Sequence, residues 1–136
     1  MAIIGRRKME KIDLAKLKVG FQEKPFNQLV KHHLKKQNTR QLFEGALGTK
    51  AMLPASAQPL CEGFIDRWNE RVYDREFWHL DTAQVFSNII EDARLLLETA
   101  GVLTDDETLF NMFQIVVLSY AYSASDQPNM RKFIGI

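Results

Sequence analysis

From Asp81 to Ala100 the residues Val85, Phe86, Ile89, Ile90, Ala93, Leu96, Leu97 and Ala100 recur at helical spacing and fill one arc of a wheel. Between 84 and 99 only Leu95 is apolar outside that arc. Such a pattern admits one kind of element, an amphipathic helix laid against a core. Gly101 supplies its stop, and Asp81 with Gln84 three residues on supplies a capping-box start.

Three more helix starts follow the same logic. Pro25 suits the first turn of a helix reaching Gln37, with Phe26, Leu29, Val30, His33 and Leu34 on one face and Lys24, Lys31 and Lys35 on the other. Pro59 opens a helix predicted to run to Glu76, its apolar arc formed by Leu60, Cys61, Phe64, Ile65, Trp68 and Val72. Thr104-Asp-Asp-Glu107 reads as a capping box for a helix ending near Ala124. Its polar positions Asn111, Gln114, Ser119 and Ser123 are scattered round the wheel, as expected of an enclosed central helix. Ile115 to Leu118 is β-branched enough for a strand, but no second strand exists to pair with it, so the segment stays helical.

Shorter elements fill the gaps. A Lys- and Leu-rich helix is predicted from Lys8 to Val19 with Gly20 as a left-handed cap, and another from Thr39 to Leu47, capped by Asn38 with Gln41 and stopped by Gly48. Residues 48–58 read as a loop, Phe77 to Leu80 as an aromatic segment folding back on the core, and Pro128 as the start of a terminal helix with Met130, Phe133 and Ile134. The resulting fold class is all-α: a compact bundle of six or seven helices with two long antiparallel central helices. Its 136 residues suit a single helical domain over 1–136.

Charge divides that domain. Up to Lys50 twelve cations face four carboxylates, a formal +8, and from 51 onward six cations face thirteen carboxylates, a formal −7, so the two parts add to the net +1. A basic N-terminal third (1–50) followed by acidic core helices (51–136) implies an external polyanion or neutralisation of one part by the other, within or between chains. The cations Lys31, Lys35, Lys36 and Arg40 are the partner-binding candidates of the basic part. Their natural counterpart is an acidic ridge, Glu62, Asp66 and Glu70, spaced four residues apart on one helix face. Lys31 to Arg40 spans two short helices, which invites a helix-turn-helix comparison, although only Arg40, Gln41 and Glu44 would be available as readers.

Arg71 and Arg75 fall on the arc that Leu60, Phe64 and Trp68 begin, so that apolar stripe turns cationic. They can offer their forks to a carboxylate or phosphate, or simply cover Trp68 and Trp78. Leu95, apolar on a polar face, is a candidate contact for self-association.

No phosphate loop, nucleophile elbow or helical His pair around a Glu occurs, so no catalytic residue is nominated. His32 and His33 point about 100° apart on a helix and cannot easily share a metal, and His79 with Asp81 is too small a set for zinc. Cys61, on an apolar arc and the sole cysteine, excludes an internal disulfide and favours a reducing compartment. No run is apolar enough to span a membrane. The sequence thus points to a small, soluble, cytoplasmic interaction or regulatory module, a homodimer or partner to another protein, with no cofactor and no metal. The alternative is a nucleic-acid-associated protein gripping phosphates through its basic third.

Overall fold

A computed structural model of the chain describes Leu17 and residues 19–136. Among these residues there are seven α-helices and no strand: α1 Phe26–Lys36, α2 Thr39–Ala51, α3 Cys61–Asn69, α4 Arg75–His79, α5 Thr82–Thr99, α6 Asp106–Asp126 and α7 Pro128–Phe133. Short 3-10 turns occur at Val19–Phe21, Gln58–Leu60 and Glu70–Tyr73. The helix expected from Lys8 lies outside the described residues. Gly20 sits inside the first 3-10 turn, and among the described residues the left-handed glycines are Gly101 and Gly135.

The starts of α1 and α5 are tied to each other. Pro25 and Asp81 form an isolated bridge, Phe26 N–H donates to the Leu80 carbonyl at 2.8 Å, and the Thr82 N–H and hydroxyl both donate to the Lys24 carbonyl. Asp81 therefore does not act as the expected side-chain cap of α5, because Thr82 and the bridge already satisfy that helix start. At α6 the cap is Asp105, whose carboxylate accepts from Thr108 N–H at 2.9 Å, one residue beyond the expected Thr104.

Two boundaries differ more. Helix α2 keeps its expected Asn38–Gln41 capping box but continues through Gly48 to Ala51, so the predicted loop starts four residues late. One glycine costs a helix interior only about 1 kcal/mol, less than a turn of α2 and the burial of Leu53 beyond it return. The helix expected over 59–76 is broken instead. Glu70–Tyr73 tightens to 3-10, and Asp74 turns the chain and caps α4 by accepting from Glu76 and Phe77 N–H. That turn swings Phe77 and Trp78 inward, where Trp78 Nε1–H donates to the Val72 carbonyl at 3.1 Å.

One helix organises the whole. Helix α6 is buried on every side, from Thr108 and Leu109 to Ala121 and Ala124, and receives α1, α2, α3, α5 and α7. The expected centre of two long helices is thus not borne out. Helix α5 has a single apolar face and lies to one side, and α2 packs on α6 more extensively than α5 does. Against the far half of α6 sits an aromatic cluster of Phe26, Phe77, Trp78 and Tyr120, with ring centroids 5.1 to 6.1 Å apart.

Candidate binding surfaces

The four basic candidates do not form one uniform patch. Lys35 and Lys36 are exposed at the end of α1, and Lys31 is half-buried. Arg40 is exposed on α2 but ion-paired with Glu44 at 3.0 Å, one helical turn away. Among the described residues none of the four forms an ion pair with Glu62, Asp66 or Glu70. The acidic ridge itself is exposed, Glu62 and Asp66 on α3 and Glu70 in the 3-10 turn that follows.

Arg71 and Leu95 share a cleft. It measures about 590 Å3 between the α3 region and α5, with Arg67, Trp68, Asn88, Glu91 and Asp92. Asp92 gathers two of its polar groups, accepting from Trp68 Nε1–H at 2.9 Å and pairing with Arg67 at 3.0 Å. Arg71 lies over the Trp68 ring at 5.7 Å and reaches Asp74 at 4.0 Å. Arg75 turns away, over Phe133 at 5.4 Å, so it covers α7 and not Trp78. Leu95 is 62% exposed at the rim.

A second pocket was not legible in the sequence. Helices α2 and α3 diverge over α6 and leave a mainly apolar groove of about 220 Å3, with Ala46, Ile65, Ile115 and Tyr122 among its lining and Phe43 and Leu47 at its edge. Phe43 and Leu47 are 48% and 51% exposed, and the Phe43 ring stands 5.5 Å from Tyr122. The polar lining is Ser119 with one charge of each sign, Lys50 from α2 and Glu62 from α3. The spacing Arg40, Phe43, Leu47, Lys50 was the available signal. Stopping α2 at Gly48 removes Lys50 from it, and the apolar pair then reads as ordinary core.

Cys61 also lines this groove, yet its sulfur is buried, with the Ala57 carbonyl at 3.8 Å. Burial pushes the thiol pKa up, with Lys50 opposing and Glu62 reinforcing the shift. A thiol held in its protonated form is the opposite of a nucleophile. His33 Nδ1 lies 3.4 Å from Gln37 Oε1, and His32 stacks edge-on to Phe21. Among the described residues no group of three His, Cys, Asp or Glu is placed to hold a metal ion, and no helix is long and apolar enough to cross a membrane. No family model, curated protein or solved structure matches this chain.

Proposed function

We propose that this chain is a helical interaction module whose working surface is the groove between α2 and α3, and that it acts by seating apolar side chains of a protein partner there. The observation that carries this reading is the exposure of Phe43 and Leu47, 48% and 51%, at the edge of an apolar pocket. Contiguous exposed apolar surface with a polar rim is characteristic of interaction sites. The volume of about 220 Å3 falls below the roughly 300 to 1,000 Å3 of sites that enclose a drug-sized ligand or cofactor. A side chain suits it better. The cleft under Leu95 supports docking less, because Asp92 there is already taken by Trp68 and Arg67.

A single thiol kept buried supports a reducing, cytoplasmic setting. Phosphate-backbone binding has less behind it: Glu44 holds Arg40 and Lys31 is half-buried, which leaves Lys35 and Lys36 as the exposed cations of the four without an ion pair among the described residues.

Site-directed photo-crosslinking in living cells tests the surface. A benzophenone amino acid placed at Leu47 should give a discrete protein adduct, whereas the same group at Leu103, 66% exposed between α5 and α6, should not. No adduct at position 47, or the same adducts at both positions, contradicts the reading.

A further inference from the structure

The groove between α2 and α3 has walls of opposite charge. Lys50 stands on the α2 wall and Glu62 on the α3 wall, with Asp66 exposed one turn further along α3. Among the described residues neither Lys50 nor Glu62 takes part in an ion pair, so both charges line the groove uncommitted, Glu62 exposed and Lys50 half-buried. Along α2 the residues Arg40, Phe43, Leu47 and Lys50 follow a spacing of three, four and three. They form one row, apolar in the middle and cationic at both ends, with the periodicity of a helix that packs against another helix.

We propose that the occupant of the groove is a second copy of this chain, related by a two-fold axis running along the groove, so that each α2 lies over the other copy's α3. Isologous contacts require a surface complementary to itself, and this one is. An axis along the groove sets Lys50 of each copy opposite Glu62 of the other and lays the apolar row of each α2 over the other copy's α3, where Ile65 lines the groove. An axis across it would set α2 on α2 and α3 on α3, bringing the exposed carboxylates Glu62 and Asp66 against those of the other copy, an arrangement that like charge disfavours. The net charge of +1 leaves little long-range repulsion between copies. The division of the sequence into a basic part and an acidic part then has a structural use, since the α2 wall ends the first and the α3 wall opens the second.

The inference rests on the docking reading above and names its partner. Its test is charge complementation, read by light scattering and sedimentation on the full chain. Lys50→Glu places two carboxylates in each facing pair and Glu62→Lys two ammonium groups, so each single variant should associate roughly tenfold to a hundredfold more weakly than the wild type. Mixing the two variants should restore association as a heterodimer, because every facing pair is then of opposite sign. The double variant should restore it as well. Glu62 is exposed and Lys50 half-buried, and unchanged helical circular dichroism and thermal midpoints would confirm that the singles fold. Single variants that associate like the wild type, or a mixture that stays monomeric, would overturn the two-fold arrangement. A wild type that stays monomeric while position 47 still crosslinks to another protein would overturn the second copy as occupant and leave the docking surface standing.

Discussion

Tyr120 and Cys61 show how burial at single residues makes this protein sensitive to alkali. The Tyr120 ring is fully enclosed by Phe26, Phe77 and Trp78, and its hydroxyl donates to the Trp68 carbonyl. Burial raises its pKa, with Arg71 opposing, and burial likewise raises that of Cys61. In both cases the unfolded chain releases its proton first, at about 8.5 for a thiol and about 10 for a phenol. The folded state holds more protons through that range, so stability is complete below it and falls as pH rises through it. The urea midpoint should therefore decline above about pH 8.5, and Tyr120→Phe should flatten the upper part of the decline while lowering stability at neutral pH by about 1 kcal/mol for the lost hydrogen bond. A midpoint level across that window would show that these groups are not buried as described.

At the scale of elements, the helices themselves were largely legible and their ends were not. The stripe from Val85 to Leu97, the stop at Gly101 with its positive φ of 73°, and the Asn38–Gln41 box all stand as expected, because each is decided by side chains within a few residues. Gly48 and Asp74 are decided by distant groups. Whether a glycine ends a helix depends on what the next turn can bury, and whether Asp74 caps a new helix depends on the space that Trp78 finds beside Tyr120. The same holds for the candidate site: the acidic ridge and the exposure of Leu95 could be read from a wheel, but the openness of Phe43 and Leu47 depends on α2 turning Leu42 and Ala46 inward. These boundaries can be probed by substitution. A Cβ at Gly48 meets nothing within 4 Å. Gly48→Ala should therefore raise stability by about 0.5 to 1 kcal/mol. Asp74→Ala removes the cap of α4 and should lower stability by about 1 kcal/mol. Chemical denaturation of both variants checks the pair, and a destabilising Gly48→Ala would place the end of α2 where the sequence alone put it.

For the molecule as a whole, one apolar helix gathers the others round it, and the surface left over is not uniform. Helix α6 uses up the inward faces of α1, α2, α3, α5 and α7. Helix α2 keeps a second apolar row, Phe43 and Leu47, that the described chain leaves about half exposed. Exposed apolar side chains beside a groove, between a cationic wall and an anionic one, make sense in a protein that meets a partner there. Light scattering across micromolar concentrations, on the wild type and on Leu47→Glu, tests the proposed pairing of two copies through that groove most directly. The wild type should approach twice 15.7 kDa as concentration rises, and Leu47→Glu should remain at 15.7 kDa with an unchanged thermal midpoint. A wild type that holds the monomer mass throughout, or a Leu47→Glu variant that associates as well as the wild type, would contradict it.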